Sequence, residues 1–375
     1  MGNTPSLIAD PRVIPATQEI PETQKAFYVL EKNTDLQEVK VEVKTDVAVP
    51  KPKSGEVLIR VVAAPVNPSD FGVWTRPSAS GNDYVPMVAG TEGSGIVIAS
   101  GGGFVANRMV GKNVGFVKPK NGGSYQQYVI VDAMTGVFPL SEGVKCEDAA
   151  SHFVNPYTVC GFIDTLRKRH TGPLENIGLV HTAAASQLGQ MLVKLAKEEN
   201  ITLINVVRRE DQATVLKDIG AAYIINSSED GWETSLRTMM KDLKINVIFD
   251  AISGDMSGTL LNLLPNGGTL FAYGKLSGST CNGIQFTDLS YKNKKFEGFL
   301  LTNWLLEHGQ GLLTMQRINA ATKKVHRGLS KPDGWSSSKY QDCNIDNMFE
   351  MLLENMKSTS SVTGRKLRIR FDQEN

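Results

Sequence analysis

Beyond residue 176 the chain repeats one pattern, a short and almost wholly apolar run followed by an amphipathic stretch. The runs are NIGLVHT (176–182), ITLINVV (201–207), AAYIINS (221–227), NVIFDAI (246–252), GTLFAYG (268–274) and FEGFLL (296–301). Between the earlier ones lie QLGQMLVKLAKE, REDQATVLKDIG and WETSLRTMMKDL, whose apolar residues recur three and four apart, the spacing of one helix face. Apolar runs without polar alternation suit strands covered on both sides. With crossover helices between them they imply an α/β fold, a doubly wound parallel sheet.

The first half follows another pattern. EVLIRVVAA (56–64), GSGIVIAS (93–100), NVGFV (113–117) and YQQYVIV (125–131) are short β-rich runs separated by Asn67-Pro68, Gly101-Gly102-Gly103 and Asn121-Gly122-Gly123. They predict a small, irregular β-domain. From about residue 147 the period lengthens, and DAASHFVNPYTVCGFIDTLRKR reads as helical on either side of Pro156. The closing RKLRIRF is a candidate strand that returns to the first domain. A chain of 375 residues exceeds what one core serves. The expected layout is a tail at 1–26, a β-domain from 27–150 with 310–375, and a dinucleotide-binding domain at 151–309.

Forty basic side chains against 39 acidic ones give no field that would recruit nucleic acid. Cys146, Cys160, Cys281 and Cys343 are scattered without a C-x-x-C, so neither a zinc site nor a disulfide framework is indicated. No apolar run reaches the roughly 18 residues of a spanning helix. The N-terminus lacks secretory and Arg-rich import patterns, which favours a cytoplasmic protein with the mitochondrion as the alternative. Met-Gly-Asn-Thr-Pro-Ser matches the N-myristoylation pattern with Gly2 as acceptor, a weak membrane tether if used and a frayed tail if not.

The segment HTAAASQLGQ at 181–190 sits where a dinucleotide loop belongs. In the G-x-G-x-x-G fingerprint the glycines permit a tight turn, close approach of pyrophosphate and close helix packing. Here those places hold Ala184, Ser186 and Gly189, with Ala185, Gln187 and Leu188 between them. Small side chains keep some of the approach, and amides at a helix N-terminus still donate to phosphate. A turn serving packing alone is the other account. Arg208 falls 19 residues after Gly189 and precedes Arg209. An acidic residue there would hold a ribose 2′-hydroxyl, whereas arginine suits a 2′-phosphate and hence NADPH. Two solvated arginines at a strand end are the alternative.

Taken together, AAPVNPSDFG (63–72), VAGTEGSGIVIASGG (88–102), the loop, INVVRRE (204–210), PNGGTLFAYGKLSG (265–278) and FEGFLLTNWL resemble the medium-chain dehydrogenase/reductase superfamily. Within it the likeness is to the zinc-free quinone reductase and 2-enoyl thioester reductase branch, over roughly residues 27–371. The resemblance implies a GroES-like substrate domain, an inserted Rossmann NADP-binding domain, a cleft at their junction and a homodimer. It implies hydride transfer from NADPH to an activated double bond of an enoyl thioester, enone or quinone. Zinc members carry Cys-x-x-Asp and Gly-His-Glu, where this chain has Asn67-Pro68-Ser69-Asp70 and Gly90-Thr91-Glu92, so no metal is expected.

By the same resemblance Asn67 belongs near the nicotinamide, flanked by Thr158 and the Tyr273-Gly274 turn. A simple turn at Asn67-Pro68 and a backbone-bonded Thr158 are the alternatives. The catalytic tyrosine of mitochondrial-type enoyl reductases would fall near Ser78 or Ala79, neither of which is tyrosine, and Tyr84 is the nearby substitute. Trp74 either walls a pocket or packs the β-domain. His181 contacts cofactor or supports the turn, and the role of His152 stays open. The missing glycines and tyrosine keep a second class in view, a non-catalytic nucleotide-binding subunit or redox sensor.

Overall fold

The computed structural model describes residues 19–76, 84–120, 122–170, 177–307, 309, 311–357 and 364–371. Gly2, Ser78 and Ala79 lie outside the described residues. The chain divides into two compact units, one of residues 1–150, 342–350 and 368–375 and one of residues 151–341 and 351–367.

In the first unit the four β-rich runs become the strands Glu56–Pro65, Glu92–Ser100, Asn113–Val117 and Tyr128–Asp132. They pair antiparallel, and Val137–Pro139 extends the sheet beyond Asn113–Val117. The returning strand Lys366–Arg370 sets Arg368, Ile369 and Arg370 opposite Pro65, Ala64 and Ala63. A second sheet has the order Lys40–Ala48, Thr23–Glu31, Met87–Val88. Its two long strands, TQKAFYVLE and KVEVKTDVA, mix charges into the β pattern, which hides them from a periodicity count. Trp74 is buried here, 5.8 Å from Phe27 and edge-on to Tyr125 at 6.4 Å, so it packs the β-domain core.

The second unit holds six parallel strands: Gly178–His181, Thr202–Val207, Tyr223–Asn226, Val247–Asp250, Thr269–Ala272 and Lys295–Gly298. In space, counting along the chain, their order is third, second, first, fourth, fifth, sixth. That is the doubly wound arrangement, reversing direction between Gly178–His181 and Val247–Asp250. The helices Gln187–Glu198, Glu210–Asp218 and Trp232–Asp242 form where the three- and four-residue spacing places them. Gln187–Glu198 turns Met191, Leu192, Leu195 and Ala196 into the core, each large side chain contributing about 1.5–3 kcal/mol. Pro156 sits in the first turn of the helix Val154–Arg169, where its missing N–H breaks no intrahelical bond. The helix Leu312–Leu329 groups with this unit through Arg317, which pairs with Glu307, and Lys324, which pairs with Glu199. The layout expected from the closing strand and the resemblance places residues 310–375 with the β-domain.

Candidate active site

The dinucleotide loop keeps its shape with one glycine. A Cβ on Gly189 would stand 2.1 Å from the carbonyl oxygen of Ala184, so only glycine lets the helix lie this close to the turn. The tight turn falls one residue before the fingerprint position, at Ala183, with φ +51°. Ser186 caps the helix by accepting from the Gly189 amide, and its own amide bonds Ala183. The amides of Ala185, Gln187 and Leu188 are left without a backbone acceptor among the described residues, the condition for holding a diphosphate at a helix N-terminus. Gln187 turns its side chain away from that point. Its Nε2 donates to the Gly364 carbonyl and its Oε1 accepts from the Lys339 amide at 2.8 Å.

Arg208 is exposed, and its backbone amide donates to Gln212 at 3.0 Å. Arg209 is committed to Asp211 through two contacts of 3.0 and 3.2 Å. The two arginines are therefore unequal: Arg208 has no ion pair among the described residues, and Arg209 does.

At the reversal point of the sheet, Thr182 Oγ1 donates to buried Asp250 at 2.8 Å and accepts from the Ala251 amide. Asp250 also accepts from the amides of Ile252 and Ser253 and from the Ser257 hydroxyl. Neither Thr182 nor Asp250 stood out in the sequence, although an aspartate ending the apolar run VIFD was the available signal. Beyond it, His181 Nε2 and the Tyr273 hydroxyl are 2.7 Å apart with nearly parallel rings. Burial lowers His181 to about 3, so the imidazole is neutral, and burial pushes the Tyr273 phenol up. Gly274 is required after it, since a Cβ there would meet the Ala251 carbonyl at 2.7 Å.

Thr158 donates to the Val154 carbonyl at 2.7 Å, one turn back in its own helix. His152 lies 2.9 Å from His326, Nε2 to Nε2, and its pKa falls to about 3, mainly through burial.

In the first unit Asn67 ends the Glu56–Pro65 arm and caps the helix Pro68–Trp74, its amide donating to Asp70 at 2.9 Å. Its side-chain Nδ2 donates to buried Glu92 at 3.0 Å. Asp70 also receives the Thr91 hydroxyl at 2.6 Å and the Tyr125 hydroxyl at 2.9 Å. An amide N–H aimed at a carboxylate is no metal ligand, so this donor set does not fit catalytic zinc. Among the described residues no three His, Cys, Asp or Glu side chains converge. Tyr84 stands apart from this network, 85% exposed.

Two family models match the chain: the alcohol dehydrogenase GroES-like domain over residues 53–142 and the zinc-binding dehydrogenase model over residues 188–314. The mitochondrial enoyl-[acyl-carrier-protein] reductase of Xenopus tropicalis is 30% identical over 290 residues, covering 71% of this chain and 74% of the relative. Among solved structures, a chain assigned as an NADPH:quinone reductase from Mesorhizobium loti superposes with a TM-score of 0.79 at 28% identity, covering 94% of this chain and all of that one. A mycobacterial protein solved with NADPH shares the fold, with a TM-score of 0.72 at 19% identity over 92% of this chain and 99% of its own. The fold and these relatives define a nicotinamide-dependent oxidoreductase. The chain belongs to the medium-chain dehydrogenase/reductase superfamily and is a reductase of that type.

Proposed function

We propose that the chain reduces an activated double bond of a 2-enoyl thioester, enone or quinone with NADPH, without zinc. The dinucleotide loop carries this assignment: three open amides at a helix N-terminus, a glycine that admits no Cβ, and Arg208 at the end of the next strand. NADPH, when bound, supplies the hydride. Ala184, Ala185, Ser186, Gln187, Leu188 and Gly189 would cradle its diphosphate, and Arg208, with Arg209 beside it, would meet the 2′-phosphate. Tyr273 and Gly274 would border the nicotinamide, and Asn67 and Thr158 are the candidates for contact with the substrate. Solvent would deliver the proton, the Tyr84 phenol being 85% exposed.

The kinship with an enoyl-[acyl-carrier-protein] reductase favours an acyl thioester among these substrates and weighs against a subunit without turnover. Strand Lys295–Gly298 is the sheet edge that a homodimer would pair, with Leu300 and Leu306 exposed beside it. A monomeric mass in solution would rule out that pairing. Among the described residues no helix is long and apolar enough to cross a membrane. The location proposed is the cytoplasm, with a weak membrane tether if Gly2 is acylated and the mitochondrion as the alternative.

The test is calorimetric titration with NADPH, followed by rapid mixing with enones, quinones and short 2-enoyl-CoA esters. Binding with turnover on one class supports the assignment. Binding without turnover across the panel would leave a sensor or accessory subunit, and absence of binding would overturn the assignment.

A further inference from the structure

His181 ends the first strand of the parallel sheet along the chain and Tyr273 directly follows the fifth, Thr269–Ala272, with Val247–Asp250 between those two strands. Their hydrogen bond therefore spans the end of an intervening strand. In a doubly wound sheet the dinucleotide lies across the carboxyl ends of the strands at the reversal point, one half on each side. Arg208 ends the strand on one side, so the adenosine belongs there. The Tyr273 end of the sheet is the nicotinamide side.

The contact has a direction. His181 is fully buried and neutral, and its Nδ1 has no hydrogen-bond partner among the described residues. A buried N–H without an acceptor is costlier than a bare acceptor nitrogen, which selects the tautomer carrying hydrogen on Nε2. Nε2–H then donates to the Tyr273 oxygen. Phe162 supports both rings from one side, edge-on to Tyr273 at 4.7 Å and 6.0 Å from His181. Tyr273 itself remains partly accessible. The imidazole is shut away from solvent, so it acts on a ligand only through the phenol.

We propose that His181 is a positioning residue for the nicotinamide half of the coenzyme: by donating Nε2–H to Tyr273 it fixes the phenol ring as a wall of that subsite. The proposal rests on the dinucleotide assignment above.

The experiment measures the dissociation constants of NADPH and of 2′,5′-ADP, which lacks the nicotinamide, for the wild type and four variants. His181→Ala and Tyr273→Phe should each weaken NADPH on the order of tenfold while changing 2′,5′-ADP less than about twofold. The double variant should lose little more than either single one, because one contact is removed. His181→Gln, which restores an N–H donor of similar reach, should recover most of the NADPH affinity. Tyr273→Phe preserves ring volume and guards against a folding defect in His181→Ala. Unchanged NADPH affinity, proportionate weakening of both ligands, or additive losses in the double variant would overturn the proposal. A wild type that binds neither ligand would instead remove the dinucleotide assignment beneath it.

Discussion

The ammonium of Lys294 lies 2.9 Å from the carboxylate of Asp288, and both side chains are almost completely withdrawn from solvent. The same ammonium donates to the carbonyls of Leu261 and Asn262, closing the helix Asp255–Leu263 at its carboxyl end. Burial raises the Asp288 carboxyl, and hydrogen bonds from Lys294 and Lys292 outweigh it, holding the group below the usual range. Removing Lys294 leaves the buried carboxylate with Lys292, whose ammonium is partly exposed and screened by solvent. Lys294→Met should therefore cost about 3 kcal/mol, read by urea unfolding, and the Asp288→Leu/Lys294→Leu pair should recover much of it.

Gly189→Ala should lower NADPH affinity by at least roughly tenfold, since a clash of backbone against Cβ moves the helix away from the turn. Ala183→Gly runs the other way. A left-handed alanine costs about 1 kcal/mol, glycine returns part of that as freedom of the unfolded chain, and a net gain of about 0.5 kcal/mol is expected in thermal unfolding.

Arg208→Glu should weaken NADPH roughly 10- to 100-fold while leaving NADH within about threefold, measured by calorimetry. Arg209→Glu should do less, because Asp211 already engages that guanidinium. Equal losses on both coenzymes would remove the 2′-phosphate role from Arg208.

Tyr84→Phe should leave kcat/KM within about twofold, because an 85% exposed phenol outside the Asn67 network is poorly placed to hold a proton over a substrate. A drop of about a hundredfold or more would instead identify Tyr84 as the general acid.

His152 and His181 are both buried neutral, each with a pKa near 3 in the folded chain against 6.5 as the ordinary value. Below pH 6.5 the unfolded chain takes up protons that the folded one refuses. Stability is thus complete above 6.5 and falls as pH drops toward 3, by roughly 2 kcal/mol per histidine at pH 5. Denaturant unfolding at pH 7.5 and pH 5 should show this, with a smaller difference in His181→Phe.

The parallel sheet was legible because strands buried on both faces leave uninterrupted apolar runs: five of the six strands fall inside them, and the sixth, Lys295–Gly298, starts one residue before its run. Thr23–Glu31 and Lys40–Ala48 were not, since a two-sided, partly exposed ribbon carries charges through its β pattern. At the site, Gly189 was legible because its close neighbour, the Ala184 carbonyl, is fixed by local chain geometry. The Asn67–Glu92 and His181–Tyr273 bonds join residues 25 and 92 positions apart, and no local period encodes which polar groups such folding brings together. Gln187, at a variable place of the fingerprint, carried no signal in the sequence and proves to be an anchor for two distant segments.

That anchor sets an order of events during synthesis. Gln187 waits for Lys339 and Gly364, 152 and 177 residues later, before its amide is satisfied on both sides. At ribosomal speed the delay is roughly 9–35 s. Through that interval the nascent nucleotide loop lacks both partners of Gln187, so this anchor closes only after most of the second unit has been made.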